Sequence, residues 1–225
     1  MASNEELIAL ASQLKEPQGA KGIEIADMMN ATNIKMTLHA IAHLNIRNDD
    51  HILELGHGNC GHLHHLLELK DGLRYTGLEI SELMYTEAQV KNKAYLATGQ
   101  ASFHQYDGLH IPFPNNSFDR IFSVNTIYFW ADPLYLLTEL YRVLKPNGVL
   151  NITFAQEKFM QQLPFTTFGF KLYNDEKIAD LVNATSFHIH DSNTQTESVK
   201  SKTGDLLDRT FTTITLKKIA TIESL

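Results

Sequence analysis

The chain has 225 residues, of which 43% are hydrophobic and 20% charged, and its formal net charge is −7. These values are typical of one globular domain and disfavour DNA or RNA as a partner, because a nucleic-acid surface needs a basic face. No apolar stretch approaches the ~20 residues of a membrane-spanning helix, and the first residues lack the pattern of a secretory signal. A single cysteine, Cys60, excludes an internal disulfide. We therefore expect a soluble, cytoplasmic protein.

The N-terminal part of the chain has helical patterns. Ser3 and Glu6 have the spacing of a capping box, and leucines recur after them at helical intervals. A second helix is predicted from Ile23 to Leu44, with a break near Asn30–Asn33. Residues 1–45 are thus expected to form a helical cover on the rest of the domain.

From residue 50 onward, short apolar runs alternate with helical patterns. The predicted strands are His51–Leu55, Leu73–Glu79, Ala101–Tyr106, Arg120–Asn125 and Val149–Phe154, and the predicted helices are Leu63–Leu69, Glu82–Ala97 and Pro133–Leu144. Such alternation indicates right-handed βαβ units, which build a mostly parallel sheet with helices on both faces. A turn is predicted at Lys145–Gly148.

The C-terminal part follows a different pattern. After a helix at Asp175–Thr185, the runs Phe187–Val199 and Thr210–Lys218 read as two strands with no helix between them. A short connection makes such strands antiparallel. The prediction is a single α/β domain over residues 1–225, with a seven-stranded, mostly parallel sheet that ends in an antiparallel pair. Its cofactor-binding core is expected at 50–155, and a lid segment, a helix and the two strands at 156–225.

A glycine-rich loop follows the first predicted strand and precedes a helix. Its sequence, Gly56-His57-Gly58-Asn59-Cys60-Gly61, matches G-x-G-x-x-G, in which glycines allow a tight turn and close approach of the backbone to a ligand. Glu79 ends the next strand about twenty residues further on, where a carboxylate accepts hydrogen bonds from ribose hydroxyls. The alternative for Glu79 is an exposed residue at a strand end. Loop and carboxylate together predict an adenosine-containing cofactor, without choosing between NAD and S-adenosylmethionine.

Further motifs in the middle of the chain decide between these cofactors. They are Ile52–Gly58, with an acidic residue two positions before the first glycine; Phe103–Gly108, followed by Ile111–Phe113 and Ser117–Asp119; Asn125; and Arg142–Gly148. In this order, over residues 50–155, they resemble the class I S-adenosylmethionine-dependent methyltransferases, particularly the small-molecule branch related to quinone-biosynthesis C-methyltransferases. The resemblance implies a Rossmann-like fold, S-adenosyl-L-methionine as the cofactor and methyl transfer as the reaction.

The same resemblance implies a set of cofactor-binding residues: Glu54, Gly56, Gly58, Gly61, Glu79, Ile80, Asp107, Gly108 and Asn125. Glu54 and the three loop glycines would hold the methionine portion, and Glu79 the ribose. Asp107 would accept a hydrogen bond from the adenine amine, with Gly108 leaving room for the ring. Asn125 would line the opening toward the substrate. The alternative for Asp107 is a turn former, since Asp-Gly is a common turn pair.

The loop departs from the family pattern at one position. The family usually has glycine where Cys60 stands, and here the third glycine, Gly61, comes one residue later. Histidines surround Cys60, but a zinc site needs four ligands in a tetrahedral arrangement. His62, His64 and His65 point in different directions if they lie on one helix. We predict no metal site.

The expected acceptor is a small molecule, apolar or aromatic. Tyr128, Phe129 and Trp130 follow the fourth strand and either wall an acceptor pocket or belong to the core. The aromatic segment Phe159–Phe170 is interpreted as a lid. A sulfonium methyl is already activated, so positioning and exclusion of water are the main requirements, and we assign no catalytic base.

Two alternatives remain at the level of the sequence. An NAD-dependent oxidoreductase would share the loop, although no Tyr-x-x-x-Lys pair is evident and the Asp107 region would be unexplained. A non-catalytic protein that binds S-adenosylmethionine would also show these motifs, because methyl transfer leaves no obligatory catalytic signature. Monomer and homodimer are equally compatible with the sequence.

Overall fold

The computed structural model describes residues 2–200 and 206–219. The α-helices are α1 (Asn4–Lys15), α2 (Gly19–Ala42), α3 (Leu63–Leu67), α4 (Glu82–Lys91), α5 (Lys93–Ala97), α6 (Pro133–Val143), α7 (Glu157–Met160) and α8 (Asp175–Asn183). The strands are β1 (His51–Leu55), β2 (Arg74–Glu79), β3 (Ala101–Gln105), β4 (Phe118–Val124), β5 (Leu144–Ala155), β6 (His188–Lys200) and β7 (Leu206–Lys217). Residues 1, 201–205 and 220–225 of the predicted domain lie outside the described residues.

The strands form one seven-stranded sheet in the order β3-β2-β1-β4-β5-β7-β6. Strands β1 to β5 are parallel to one another, while β7 runs antiparallel to both β5 and β6. The predicted Rossmann-like fold class, with its terminal antiparallel pair, is therefore confirmed. The strand order reverses at β1, which pairs with β2 on one side and β4 on the other. Ligands bind at such switch points in open α/β sheets, beyond the carboxyl ends of the strands.

The two faces of the sheet carry separate apolar cores. Leu53 and Leu55 of β1 pack in the core that includes helices α6 and α8, and Ile52 packs in the core that includes α2 and α3. Because neighbouring side chains of a strand point to opposite faces, a strand covered on both sides is mostly apolar, and Glu54 is the buried exception in β1. In the described residues, no helix combines the length and the apolar character needed to cross a membrane.

Helices α1 and α2 form the N-terminal cover. The predicted capping box is present, with Glu6 N donating to Ser3 Oγ at 3.2 Å and Ser3 N donating to Glu6 Oε2 at 2.8 Å. The predicted break near Asn30–Asn33 is wrong, since α2 is one helix of 24 residues. Asparagine disfavours a helix by only about 0.7 kcal/mol, and burial of the face around Met36 against the sheet exceeds that cost.

The predicted helix Glu82–Ala97 is divided in two at Asn92. Asn92 has φ −111° and ψ 25°, outside the helical range. Its side-chain amide donates to the carbonyl oxygens of Cys60 at 3.1 Å and of Ala88 at 2.9 Å. Asparagine side chains compete in this way with backbone hydrogen bonds. Asn92 therefore ends α4 and ties it to the glycine-rich loop.

The predicted turn at Lys145–Gly148 lies within strand β5. Leu144 already pairs with Phe118, and the register then shifts before Val149 pairs with Arg120. The extra residues form a bulge, and Asn147 adopts a φ of +64°, which asparagine tolerates better than most residues. The turn chemistry was read correctly, but the chain remains paired on both sides of it.

The hairpin of β6 and β7 is anchored to the middle of α2 by Arg209, which also forms a buried ion pair within the hairpin. Arg209 Nη2 lies 2.7 Å from Glu197 Oε1, and both side chains are 8% exposed. The same guanidinium donates to the carbonyl oxygen of Thr32 at 2.6 Å and to Asn33 Oδ1 at 2.9 Å. The arginine therefore has carboxylate, backbone and amide partners at once, and it joins the C-terminal hairpin to the N-terminal cover.

Replacing Arg209 should destabilise the protein strongly. Arg209→Ala leaves Glu197 buried without its partner, and breaking a buried ion pair costs about 3–5 kcal/mol in the free energy of unfolding. Lys35→Ala is the matched control, because Lys35 lies 4.0 Å from the same carboxylate but is 69% exposed. We expect it to change the free energy by about 0.5 kcal/mol or less. Urea denaturation measures both, and equal losses would contradict this account.

Candidate cofactor-binding site

A cavity lies beyond the carboxyl ends of β1, β2 and β4, where the strand order reverses. The glycine-rich loop forms one side, the ends of β2 and β3 a second, and the residues after β4 a third. Helix α1, the turn after it and one face of α2 cover the opening. The cavity thus occupies the position that the topology predicts for a ligand.

Seven of the nine predicted cofactor-binding residues line this cavity: Glu54, Gly56, Gly58, Glu79, Ile80, Gly108 and Asn125. Gly61 and Asp107 do not. A Cβ added to Gly61 would lie 3.0 Å from Asn30 Nδ2, so this glycine permits close packing of the loop on α2. The third glycine of the motif therefore contacts the cover in this structure.

Asp107 forms a turn at the edge of the site. Its carboxylate accepts from the backbone N–H groups of Leu109 at 2.8 Å and His110 at 2.7 Å, and from His110 Nδ1 at 2.6 Å. These bonds, led by the one from the imidazole, lower the pKa of Asp107 to about 2. The turn interpretation describes the observed contacts, and a contact with adenine stays a prediction.

The loop has three residues in the left-handed region of backbone space: Gly56 at φ +70°, Gly58 at +55° and Cys60 at +49°. A Cβ on Gly56 would collide with the side chain of Thr126. A Cβ on Gly58 would meet no atom within 4 Å, because this residue faces the open cavity. At Gly58 the backbone thus faces the cavity with no side chain between it and a ligand.

The surroundings of Cys60 explain why a residue other than glycine is tolerated at this position of the loop. A non-glycine residue at positive φ costs about 1–2 kcal/mol, which accounts for the usual glycine at this position. Here the side chain is completely buried, and its thiol donates to the Tyr75 hydroxyl oxygen at 3.3 Å. Burial raises the pKa of the Cys60 thiol well above its ordinary value, so the sulfur keeps its proton. Packing and this hydrogen bond offset the backbone strain.

Glu79 joins the end of β2 to the loop. Its Oε2 accepts from Gly58 N at 2.9 Å, and its Oε1 accepts from Ile80 N at 2.8 Å and Ser81 N at 3.1 Å. The residue is 5% exposed, which excludes the alternative of a solvent-exposed strand end. Three charge-assisted bonds stabilise the buried carboxylate and leave one lone-pair site, on Oε2, without a donor among the described residues.

Glu54 lies in a buried polar cluster beneath the loop. Its Oε2 accepts from the Tyr75 hydroxyl at 2.5 Å and contacts His62 Nε2 at 2.8 Å. Ligand-capable atoms of Glu54, Cys60 and His62 lie within 4.8 Å of one another, but the hydrogen bonds account for them without a metal. The neighbouring His64 and His65 are exposed, on another face of α3. The sequence predicts no role for His62 among the histidines near Cys60, but in the structure His62 lines the cavity.

His57, between the first two glycines, is buried on the sheet side of the loop. Its Nδ1 donates to the carbonyl oxygen of Gly58 at 2.7 Å, and its ring packs on Phe103 with 5.0 Å between centroids. A Cβ on Gly77 would lie 2.5 Å from the ring, so a glycine in β2 makes room for it. Burial lowers the pKa of His57, which keeps the ring neutral.

The aromatic residues after β4 divide between cavity and core. Phe129 and Trp130 line the cavity. Tyr128 lies in the core, and its hydroxyl donates to Asn125 Oδ1 at 2.9 Å. Tyr106, which also lines the cavity, was missed because it reads as the last residue of a strand. Its position just before the Asp-Gly pair, at a strand's carboxyl end, was the available signal.

Comparison with known proteins places the chain in a family. Residues 53–152 match a family model described as a methyltransferase domain. The chain is 30% identical to the uncharacterized methyltransferase YdaC of Bacillus subtilis over 68% of its own length and 82% of YdaC. It is 27% identical to the O-methyltransferase resE of Aspergillus sclerotiorum, over 56% of this chain and 47% of that protein.

The fold has a near counterpart among solved structures. A chain of the complex between the Haloferax volcanii Trm112 methyltransferase activator and a methyltransferase superposes with a TM-score of 0.74. It is 18% identical, and the alignment covers 97% of this chain and 100% of that one. At this identity the likeness concerns the fold alone.

The chain belongs to the class I S-adenosylmethionine-dependent methyltransferases. S-adenosyl-L-methionine is accordingly its cofactor, and the NAD-dependent alternative is set aside. The resemblance to the quinone-biosynthesis branch stays a prediction.

Gly58→Ala should weaken binding of S-adenosylhomocysteine by about tenfold or more, because the added methyl group projects into the cavity. Gly99→Ala is the matched control. Gly99 also has positive φ, +72°, and nothing within 4 Å of an added Cβ, but it lies after α5, off the cavity. Both variants carry a similar backbone strain of about 1 kcal/mol. Titration calorimetry compares them, and equal affinities would remove the loop from the site.

Glu79→Ala should impair both folding and binding. Three backbone N–H groups lose their acceptor, so we expect the free energy of unfolding to fall by about 1–3 kcal/mol. The affinity for S-adenosylhomocysteine should fall by roughly 1.5–3 kcal/mol. Glu82→Ala, at an exposed residue in the first turn of α4, is the control. Calorimetry and urea denaturation separate the two effects, and an unchanged affinity would exclude Glu79 from ligand binding.

Proposed function

We propose that this methyltransferase acts on a small, largely apolar acceptor, which binds between the N-terminal cover and the residues after β4. The composition of that wall carries the proposal. Its apolar members are Leu14, Pro17, Ala26, Met29, Phe129 and Trp130, and its polar members are Lys15 of α1, Asn30, Asn33 and Thr37 of α2, and Asn125 and Thr126 after β4. Small-molecule sites are concave and mostly apolar, with a few polar groups that fix orientation.

The cofactor is proposed to lie across the carboxyl ends of the strands. Glu54, Gly56 and Gly58 would hold its methionine portion, and Glu79 would accept from the ribose hydroxyls. Gly108 is proposed to leave room for the adenine ring, and Asp107 to reach its amine. The open cavity face of Gly58 and the remaining lone pair on Glu79 Oε2 fit a ligand with this shape and a hydroxyl donor.

The residues of the acceptor wall would act by position. The bound cofactor supplies a methyl group on a sulfonium, which needs no further activation by the protein. Among the described residues that line the cavity from α1, α2 and the segment after β4, none is a carboxylate or a histidine. We therefore propose no general base. The wall would orient the acceptor and exclude water, which are the main requirements of an in-line transfer.

The cover and the aromatic segment are proposed to close the acceptor side together. Helices α1 and α2 contribute side chains to the cavity directly. In the described cavity wall, no residue comes from Phe159–Phe170. This segment lies behind Phe129 instead, with 4.6 Å between the ring centroids of Phe129 and Phe170, and its 3₁₀ turn at Pro164–Thr167 contacts α1. It would thus support the acceptor wall from outside, in place of the lid that its composition suggested.

The names of several relatives favour a small-molecule acceptor. They include an O-methyltransferase, a sterol 24-C-methyltransferase and a 27-O-demethylrifamycin SV methyltransferase. The chain spans 47%, 30% and 46% of these proteins, so their acceptors are not transferred to it. The names include both carbon and oxygen acceptors, and they support the class of substrate without choosing the acceptor atom.

The remaining features of the proposal concern the whole protein. We propose a single methyltransferase domain that works in the cytoplasm, where the lone Cys60 stays a buried free thiol. A nucleic-acid substrate is disfavoured by the net charge of −7.

Transfer of a labelled methyl group tests the proposal. The protein is incubated with labelled S-adenosylmethionine in three separate arms. The first contains a panel of small phenols, thiols, amines and terpenoids, the second bulk RNA, and the third denatured protein. We expect label in the small-molecule arm alone. Phe129→Ala should then raise the acceptor KM by about tenfold while the affinity for S-adenosylhomocysteine stays within about twofold.

Leu134→Ala is the control, since Leu134 is 42% exposed on α6 and off the cavity. It should leave both quantities unchanged. Label in RNA or protein, with none in the small-molecule arm, would overturn the proposed acceptor class.

A further inference from the structure

Glu54 is held by two buried donors that the cofactor motifs do not include. Tyr75 lies on β2, His62 lies directly before α3, and they are 1% and 4% exposed. The Tyr75 hydroxyl is 2.5 Å from Glu54 Oε2, and His62 Nε2 is 2.8 Å from the same oxygen. Both contacts therefore fall on one oxygen of the carboxylate.

The second oxygen of Glu54 is left for a ligand. Within the described residues no donor reaches Oε1, while Glu54 as a whole is 2% exposed and lines the cavity. Glu79, the other carboxylate on the cavity wall, already accepts three backbone N–H groups. A cationic ligand group that enters the cavity thus finds Glu54 as the carboxylate with an oxygen not committed to the protein.

A chain of hydrogen bonds fixes the direction of the Tyr75 proton. The Cys60 thiol donates to the Tyr75 oxygen at 3.3 Å, so the hydroxyl proton of Tyr75 is directed at Glu54. Burial raises the pKa of both Cys60 and Tyr75, so both protons stay in place. Asn92 in turn holds the Cys60 carbonyl at 3.1 Å. The side chains that form this network of hydrogen bonds are at most 7% exposed.

We propose that His62 and Tyr75 are positioning residues that keep Glu54 oriented toward the ammonium group of the cofactor's amino-acid end. The inference rests on the proposed place of Glu54 in the cofactor site. Two donors on Oε2 fix the orientation of the carboxylate, and a charge-assisted bond from its other oxygen to a cation depends on that orientation. The consequence is selectivity: the site distinguishes S-adenosylhomocysteine from 5′-methylthioadenosine, which has the same adenosine and sulfur but lacks the amino acid.

Titration calorimetry with these two ligands tests the inference. Tyr75→Phe removes one donor and keeps the ring, and His62→Ala removes the other. Each should weaken binding of S-adenosylhomocysteine by about tenfold and change binding of 5′-methylthioadenosine by less than about twofold. His64→Ala, at the exposed histidine two positions along, should change neither. In a Glu54→Gln background, Tyr75→Phe should have no further effect on either ligand.

The outcomes separate this inference from the proposed site. If Glu54→Gln leaves the affinity for S-adenosylhomocysteine unchanged, the proposed place of Glu54 fails. If Glu54→Gln weakens it but Tyr75→Phe and His62→Ala do not, the positioning role alone fails. A parallel loss for both ligands would show a structural effect on the loop and would also overturn the inference. Should His62→Ala not fold, as judged by its circular dichroism, Tyr75→Phe decides the question because it preserves the shape of the core.

Discussion

The hydrogen bond from Gly58 N to Glu79 Oε2 is the contact on which the geometry of the site depends. It joins the loop after β1 to the end of β2, which the backbone bond from Gly56 N to the Leu78 carbonyl oxygen also links. The same carboxylate accepts from Ile80 N and Ser81 N, and Ser81 caps helix α4. One buried charge therefore sets the position of the loop, the strand end and the next helix. The buried carboxylate of Glu79 is stabilised because three backbone N–H groups donate to it. Where the chain bends, these N–H groups would otherwise have no hydrogen-bond partner.

Two side chains in the loop are accommodated by changes elsewhere in the sequence. His57 fits because Gly77, its neighbour on β2, has no side chain. Cys60 occupies a left-handed position where glycine is usual, and Tyr75 on the same strand receives its thiol proton. Both compensations come from β2, on the face that the loop covers. The loop and β2 therefore form one packing unit, and a substitution in either is felt in the other.

Much of this architecture could be predicted because it depends on local patterns. Alternating apolar runs predicted the parallel strands, and the G-x-G-x-x-G loop predicted the place of the cavity. What failed depended on contacts between distant segments. Asn92 divides a predicted helix because it reaches Cys60, and α2 is continuous because the sheet buries its inner face. Likewise, the sequence Tyr128-Phe129-Trp130 alone does not predict which side chain is in the core. Tyr128 lies in the core and Phe129 faces the cavity because of the elements packed on each side.

The two sides of the cavity have different origins in the chain. The side proposed for the cofactor comes from residues within 53–152, the part that matches the family. Much of the other side comes from α1 and α2, outside that match, and α2 is held in place from the C-terminal end. Arg209 binds the carbonyl oxygen of Thr32 and the side chain of Asn33, and Asn33 lines the cavity. The orientation of Asn33 is thus set by the β6–β7 hairpin, through the buried pair with Glu197. A proposed acceptor wall that lies largely outside the family match can change its shape while the side proposed for the cofactor keeps its geometry.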